Sequence, residues 1–348
     1  MIVGIHGAGR DGSTLLMRLL DGAPNVWVYP LEIKFLDQIA PADDLRRWRA
    51  RPEQFASARV PRARLEPYAR FQLSELRKNY ASRLHEPVAV PELPPDVPDG
   101  VSYGVALEWF LGLAAPADAR LLAFKTTEAL DARLYETAVP ALRTIRIVRE
   151  PLDQYTSTKR TVLERPGFLY WALYSDVLSG FVERWVRHAE DAADAVARDP
   201  ARHTLVRFED LRREPAREVA RLCDWLGVAH PPDPELQTVF GGRRMRELPA
   251  NPSKAGAVTP ERVVADTASL FGYHEVVSKR ERAVVAACTE AAARRVGYDV
   301  PSSPVGLRLA ARWIAPAPWE LRQVRRRPSA VRDLLARRRF VLQTARRG

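Results

Sequence analysis

The first twenty residues constrain the fold more than any other part of the chain. An apolar run at residues 2–5 leads into a segment with glycines at positions 7, 9 and 12, and leucines then recur at helical spacing over residues 13–20. This order predicts a short strand, a tight turn and a helix. We call residues 7–14 the glycine loop.

The same alternation continues along the chain. Apolar runs with the length of buried strands occur at residues 26–29, 121–124, 144–148 and 203–208. Helical patterns occur at residues 13–20, 181–198 and 216–226. Strands that alternate with helices indicate an α/β fold with a doubly wound parallel sheet, here with a P-loop-like phosphate-binding turn after the first strand.

Two segments depart from this pattern. Residues 40–105 are rich in Arg, Pro and charge, with helical stretches at 43–50 and 74–84, and such a segment is more typical of a lid or an acceptor-binding insertion than of core. Residues 305–348 form an Arg-rich tail with amphipathic helical character. We therefore predict one domain over residues 1–304, with a helical, Pro-rich insertion at about 40–105, and a basic helical C-terminal tail.

The charge of the chain is concentrated in this tail. The formal net charge is +11, of which +10 lies in residues 305–348, where twelve Arg accompany only Glu320 and Asp333. Residues 1–304 are therefore nearly neutral. This distribution argues against a nucleic-acid-binding function for the main body.

Compartment follows from cysteine use and from the first residues. Cys223 and Cys288 are far apart, in stretches that read as helices, so they indicate neither a disulfide framework nor a metal site. The opening residues lack the pattern of a secretory signal, and no apolar run reaches the roughly 18 residues of a membrane span. We expect a cytoplasmic protein.

The glycine loop has phosphate-binding spacing without the lysine of nucleoside triphosphatases. Ser13 stands at that lysine's place. Backbone N–H groups at a helix start bind an anion without a lysine, and Arg10, Ser13 and Thr14 add side-chain donors. Clamping a β,γ-phosphate pair with Mg²⁺ is disfavoured. A P-loop small-molecule kinase or NTPase is the alternative function, and a ligand-free turn is the structural alternative.

A second motif follows the strand at residues 144–148. Arg149, Pro151 and Ser157 come at the end of the strand and within the following helix. Together with residues 10–16 of the glycine loop, this motif resembles the family of sulfotransferases that use 3′-phosphoadenosine 5′-phosphosulfate (PAPS). Residues 206–211, Pro215 and residues 222–227 are similar to a further segment of that family. The resemblance extends over about residues 1–300, except the insertion.

The resemblance implies how the chain would bind PAPS as a co-substrate, without a metal. Arg149 and Ser157 would hold the 3′-phosphate. Residues of the glycine loop would hold the phosphosulfate, namely Gly9, Arg10, Asp11, Gly12, Ser13 and Thr14. Ser253 and Lys254 lie where the family has a late basic loop that closes over the 3′-phosphate, with Arg243 and Arg244 as alternatives. The residue that stacks on adenine is not identified, because Leu15 stands where some relatives have Trp.

The resemblance also implies catalytic residues. Glu32 and Phe35 are similar to a Glu-x-x-Phe element of carbohydrate sulfotransferases, in which the Glu is the catalytic base. Lys125, at the end of the strand at 121–124, would supply positive charge together with Arg10. A Glu in an exposed loop and a solvated Lys are the alternatives, and His6 is an alternative base, although a lone His in an apolar strand is more often a packed core residue.

The reaction implied is sulfuryl transfer from PAPS to an acceptor hydroxyl, on a sugar, a glycolipid or another small molecule, with release of 3′-phosphoadenosine 5′-phosphate (PAP). The tail carries Trp313, Trp319 and Phe340 among its arginines, a composition suited to peripheral contact with an anionic inner-membrane surface. A solvated tail or a homodimer contact are the alternatives. The acceptor itself is not predicted.

Overall fold

The computed structural model describes residues 1–86, 88–127, 131–163, 177–246, 261–263, 277 and 279–300. The described residues form two compact units. Unit 1 draws on the described residues within 1–7, 12–147 and 199–266, and unit 2 draws on those within 8–11, 148–198 and 267–300. Residues 8–11 of the glycine loop thus belong to unit 2, whereas the rest of the loop belongs to unit 1. The tail lies outside the described residues, so the predicted boundary at residue 304 stays a prediction.

A five-stranded sheet organises unit 1. The strands of the described chain are β1 (Ile2–His6), β2 (Val26–Glu32), β3 (Arg59–Val60), β4 (Val101–Ser102), β5 (Leu121–Thr126), β6 (Arg143–Val148) and β7 (His203–Arg207). The large sheet has the order β2-β5-β1-β6-β7, and β1 pairs in parallel with both β5 and β6, as β2 does with β5. Strands β3 and β4 form a separate antiparallel pair. The predicted α/β class with a parallel sheet is confirmed.

Apolar side chains cover both faces of the large sheet. In β1, Ile2 joins one buried cluster, whereas Val3 and Ile5 join another. In β2, Trp27 belongs to the first cluster and Val28 to the second. Since successive strand residues point to opposite faces, the two clusters lie on opposite sides of the sheet. This is the arrangement expected of a buried parallel sheet.

Helices of the described chain follow the alternation predicted from the sequence. In unit 1 they are α1 (Ser13–Leu20), α2 (Phe35–Ile39), α3 (Ala42–Ala50), α4 (Arg62–Asn79), α5 (Tyr103–Gly112), α6 (Ala132–Ala138), α9 (Phe208–Arg213) and α10 (Pro215–Leu226). In unit 2 they are α7 (Pro151–Leu163), α8 (Val177–Arg198) and α11 (Lys279–Arg295). Among the helices that the structure describes, a length and apolarity sufficient to cross a membrane are not found.

The helical part of the insertion at residues 40–105 contributes to the core, which corrects the expectation that this segment is not core. Its role as a lid or in acceptor binding stays a prediction. Trp48, Phe55, Leu65 and Tyr103 are buried in the first cluster, together with residues of β2 and β5. The rings of Phe55 and Tyr103 lie 4.8 Å apart between centroids. The composition of the segment is dominated by exposed arginines and prolines, so it did not indicate that α3, α4 and α5 each bury an apolar face. Its main helix is α4, which ends at Asn79 rather than spanning the predicted residues 74–84.

Strand β2 runs three residues further than its apolar run indicated. It passes through Pro30 and ends at Glu32. A proline lacks the N–H that a central strand needs, but β2 is an edge strand, where proline is tolerated. The register with β5 shifts between Val28 and Glu32, on either side of Pro30. Glu32 therefore lies at a strand end and not in a loop.

Candidate active site

The glycine loop has a backbone that only certain residues adopt without strain. Gly9, Arg10 and Gly12 have φ angles of 82°, 60° and 93°. At Gly12 a Cβ atom would stand 2.1 Å from Cδ2 of Phe208, the first residue of α9, so both the backbone angle and the packing require glycine there. Arg10 accepts a left-handed conformation that is unfavourable for a residue with a long side chain.

The carboxylate of Asp11 accepts a hydrogen bond from the backbone of the glycine loop. The residue is fully buried, and Oδ2 accepts a hydrogen bond of 2.9 Å from the backbone N–H of Gly9. The sequence-based prediction made Asp11 a donor-binding residue. This hydrogen bond lies within the loop, and it engages one of the N–H groups that an anion would otherwise use. Asp11 therefore shapes the loop.

Four side chains meet in unit 1, and we call them the lysine cluster: Thr14, Glu32, Lys125 and Thr127. The ammonium Nζ of Lys125 donates to Oγ1 of Thr14 at 3.0 Å and lies 3.3 Å from Oε2 of Glu32. The hydroxyl of Thr127 donates to Oε1 of Glu32 at 2.5 Å. Lys125 thus brings to the start of α1 the positive charge that Ser13 does not supply.

Strand order explains why these residues meet. Strands β2 and β5 are parallel neighbours, and the Cα atoms of Glu32 and Lys125 are register partners. Strand β1 lies on the other side of β5 and leads through the loop to α1, in which Ser13 is buried and Thr14 is partly exposed. The carboxyl ends of parallel strands meet at one edge of a sheet, where α/β proteins place their sites.

The surroundings of Glu32 keep it ionised. Burial alone would raise the pKa of its carboxyl, but the Lys125 ammonium, the Thr127 hydroxyl and the charge of Lys34 together lower that pKa below the ordinary value. The side chain of Glu32 is 32% exposed, whereas that of Lys125 is 9% exposed. A carboxylate that is charged at neutral pH and open to solvent on one side can accept a proton from a bound hydroxyl.

A second group of side chains meets in unit 2, and we call it the arginine cluster: Gly9, Arg10, Arg149, Gln154 and Ser157. Nε of Arg10 donates to Oγ of Ser157 at 3.2 Å, and Nη1 of Arg149 donates to the carbonyl oxygen of Arg10 at 3.4 Å. Nε2 of Gln154 donates to the carbonyl oxygen of Gly9 at 2.6 Å. The structure thus brings the loop residues of unit 2 together with both residues of the Arg-Pro-Ser motif.

The sequence analysis did not predict two residues of this site: Gln154, which bonds to the glycine loop, and Trp185, which bonds to Arg149. Gln154 is buried and lies three residues before Ser157, so both occupy one face of α7. That spacing was a usable signal for Gln154. The indole N–H of Trp185 donates to the carbonyl oxygen of Arg149 at 3.0 Å, across 36 residues of sequence, and no local pattern indicates it.

The remaining predicted residues that the structure describes lie in the core or in ion pairs. His6 is fully buried, with its ring centroid 5.9 Å from that of Phe124 and 5.6 Å from that of Tyr135, so it is packed in the core. Arg243 pairs with Glu86 at 3.4 Å, and Arg244 pairs with Glu261. Ser253 and Lys254 lie outside the described residues. In the part of the chain that the structure describes, groups of three or more metal-ligating side chains are not found.

A family model agrees with the motifs. A family model described as the sulfotransferase family matches residues 3–232. Two similar solved structures are the "Sulfotransferase Domain from the Curacin Biosynthetic Pathway" (15% identity, TM-score 0.47, covering 86% of this chain and 98% of that one) and the "Sulfotransferase Domain from the Synechococcus PCC 7002 Olefin Synthase" (17% identity, TM-score 0.44, 91% and 95%). A search of curated proteins finds no match.

Proposed function

Because the chain belongs to the sulfotransferase family, we propose that it transfers a sulfuryl group from PAPS to an acceptor hydroxyl and releases PAP. The observation that carries the donor assignment is the arginine cluster. There a loop arginine, Arg10, lies in direct contact with Ser157, while Arg149 contacts the backbone of Arg10. Two guanidinium groups and a hydroxyl within one cluster are the donors that a phosphate requires.

We propose a role in donor binding for each of the predicted residues in the loop and in the Arg-Pro-Ser motif. We assign the 3′-phosphate to Arg149 and Ser157, and the phosphosulfate to the loop backbone with Arg10, Ser13 and Thr14. Gly12 combines a positive φ angle with close packing against Phe208, so the loop can keep this conformation only with glycine at that position. Backbone N–H groups that enter a helix are suited to anions. In this assignment Gly9 and Asp11 act by shaping the loop.

The lysine cluster suits the transfer step. PAPS supplies the sulfuryl group. Sulfuryl transfer, like phosphoryl transfer, depends on in-line placement and on positive charge around the moving group. We propose that Lys125 and Arg10 provide that charge and that Glu32 takes the proton of the acceptor hydroxyl. The hydrogen bond from Thr127 and the ion pair with Lys125 hold the carboxylate of Glu32 in one orientation.

The acceptor and the location in the cell remain broader proposals. A hydroxyl on a carbohydrate, a glycolipid or another small molecule meets the chemical requirement. Because the tail is rich in Arg and carries Trp and Phe, we propose that this cytoplasmic protein makes peripheral contact with a membrane surface. A glycolipid acceptor would suit such a location.

Ligand-dependent stabilisation tests the donor assignment. We expect PAP to raise the melting temperature of the full chain, and AMP, which lacks the 3′-phosphate, to raise it much less. Arg149→Ala should weaken PAP binding and leave AMP binding nearly unchanged, because the residue is assigned to the 3′-phosphate alone. Stabilisation by ATP with Mg²⁺ but not by PAP would favour the kinase alternative and overturn the proposal.

Turnover tests the base. With ³⁵S-labelled PAPS and a panel of simple sugars, alkyl glucosides and phenols, we expect transfer by the wild-type protein. Glu32→Gln should reduce the rate by about 10²-fold or more, with PAP affinity retained, because general base catalysis typically contributes that much. Equal rates for Glu32→Gln and wild type would remove Glu32 from the mechanism.

A further inference from the structure

A buried carboxylate and an exposed one share a single arginine in unit 1. Arg49 donates from Nε to Oδ1 of Asp131 and from Nη2 to Oδ2 of the same residue, both at 2.6 Å. Nη2 also donates to Oδ1 of Asp37 at 2.8 Å. Two parallel bonds between guanidinium and carboxylate fix direction as well as distance. We call Arg49, Asp37 and Asp131 the Arg49 clasp.

The clasp joins the two chain segments that continue from the lysine cluster. Asp37 lies in α2, five residues after Glu32, and Asp131 precedes α6, four residues after Thr127. Arg49 itself is near the end of α3, in the insertion. The clasp therefore links α2, the helix after β2, to the start of α6, the next helix after β5.

Asp131 uses its side chain for the contact with Arg49 rather than for capping α6. It occupies the N-cap position of α6, where an aspartate commonly accepts a backbone N–H of the helix, yet its side chain makes no such capping bond in the described structure. The side chain is 1% exposed, against 41% for Arg49. Burial raises the pKa of Asp131, and the bonds and charge of Arg49 only partly offset that rise.

A contact of this kind is poorly suited to stabilising the fold. Burying the carboxylate of Asp131 is costly, and its partner Arg49 is 41% exposed, so the pair contributes little net stability compared with apolar packing. The best-supported use of such a pair is to define position. The other pairs on α3 differ, because Arg46 and Arg47 bond to Asp43 and Asp44 of the same helix. Only the Arg49 pair, of the described pairs on α3, connects separate elements.

We infer that Arg49 is a positioning residue for catalysis, which holds the segments after β2 and β5 so that Glu32 stays in register with Lys125 and Thr127. The inference rests on the proposed function, since it assumes that Glu32 and Lys125 are the reacting groups' neighbours. It also gives the insertion a role beyond core packing. Displacements of about 1 Å in such an arrangement can lower a rate about 10²-fold.

The test removes Arg49 and its buried partner Asp131 together. Arg49→Ala/Asp131→Asn takes away the ion pair without leaving a buried, unpaired charge, and it leaves the net charge unchanged. The matched control is Arg46→Ala/Asp43→Asn, which removes an exposed pair from the same helix. Arg49→Lys is a second, milder variant that keeps the charge but loses the paired bonds to Asp131.

The readout is the titration of Glu32, followed by the ¹³C signal of its carboxyl group in the full-length protein. Lys125, Thr127 and Lys34 lower the pKa of Glu32 against the effect of burial. The clasp variant leaves the net charge unchanged and Arg49→Lys keeps the positive charge, so a changed pKa in both variants would report a displacement of these groups. We expect the pKa of Glu32 to rise in the clasp variant and in Arg49→Lys, and to stay at the wild-type value in the control.

Each outcome decides one proposal. A folded clasp variant in which Glu32 titrates as in wild type would overturn the clasp. If the double variant does not fold, the same comparison with Arg49→Lys decides. PAP binding is measured in parallel on the wild-type chain by calorimetry. Failure of the wild type to bind PAP would overturn the proposed function, whereas the Glu32 titration would still judge the clasp on its own.

Discussion

At the scale of single residues, the glycine loop depends on one contact that its spacing alone does not reveal. Gly12 has a φ of 93°, and a Cβ at that position would overlap the ring of Phe208. Gly227, at the end of α10, also has a positive φ of 71°, but a Cβ there would meet nothing within 4 Å. Substituting each glycine in turn therefore separates the cost of backbone strain, which both positions share, from the cost of steric overlap, which only Gly12 has.

We predict that Gly12→Ala destabilises the protein more than Gly227→Ala does. The left-handed backbone costs each variant about 1–2 kcal/mol. Overlap with Phe208 should cost Gly12→Ala roughly 1–3 kcal/mol more. Urea denaturation measures both. Equal losses would mean that Phe208 moves aside freely. In a chain that already carries Phe208→Ala, Gly12→Ala should cost only the backbone part.

Glu32 makes a pH-dependent contribution to stability. Its folded-state pKa lies below its ordinary value of 4.5, so the stabilising contribution is fully present above about pH 4.5 and is lost as the pH falls through the folded-state pKa. We predict that the difference in unfolding free energy between wild type and Glu32→Gln is larger at pH 7 than at pH 3. Thr127→Val, which removes a hydrogen bond to the carboxylate, should reduce this pH dependence. If the difference in unfolding free energy between wild type and Glu32→Gln did not change with pH, the pKa of Glu32 would not be lowered by folding.

At the scale of elements, α7 is held from two sides within unit 2. Gln154 and Ser157 contact the glycine loop, whereas Tyr155 and Lys159 bond to Glu281 of α11. The hydroxyl of Tyr155 lies 2.7 Å from Oε1 of Glu281, and Nζ of Lys159 lies 2.8 Å from both of its oxygens. The helix that carries Ser157 therefore depends on a carboxylate more than 120 residues away in sequence.

We predict that Glu281→Leu lowers the unfolding free energy by about 1–3 kcal/mol, because it leaves the Tyr155 hydroxyl and the Lys159 ammonium without their acceptor. Hydrogen exchange should accelerate in peptides from α7. Arg295→Gln is the control, since it breaks an exposed pair with Asp194 in the same unit and should change the free energy by less than about 1 kcal/mol. Unchanged exchange in α7 would show that Glu281 does not anchor it.

At the scale of the whole molecule, charge is divided between a nearly neutral body and a basic tail. The tail's +10 lies in 44 residues that follow the predicted domain. Each arginine close to an anionic bilayer can contribute about 1 kcal/mol to binding, and the effect weakens as salt screens it.

We predict that the full chain binds vesicles containing phosphatidylserine at low salt and that a chain ending at residue 304 does not. PAP should stabilise both chains equally, because every donor contact is assigned before residue 304. Sedimentation with vesicles and thermal denaturation measure the two properties. Loss of PAP binding on truncation would place part of the donor site in the tail.

Much of this protein could be predicted from local sequence. The strand, glycine turn and helix at residues 2–20 are signalled by neighbouring residues, and the observed α1 begins and ends at the predicted residues. The sulfotransferase family was also predictable, because Arg10 with its loop and Arg149 with Ser157 are short motifs of fixed spacing. The fold class and the family are both confirmed.

Tertiary structure alone decided what depends on strand order and on distant contacts. Glu32, Lys125 and Thr14 meet because β5 lies between β2 and β1, an order that no local pattern specifies. The helical part of the insertion contributes to the core, and its apolar faces become continuous only when α3, α4 and α5 pack together. Local signals specify turns and helices through adjacent residues, whereas the site is assembled by register between strands that are nearly a hundred residues apart.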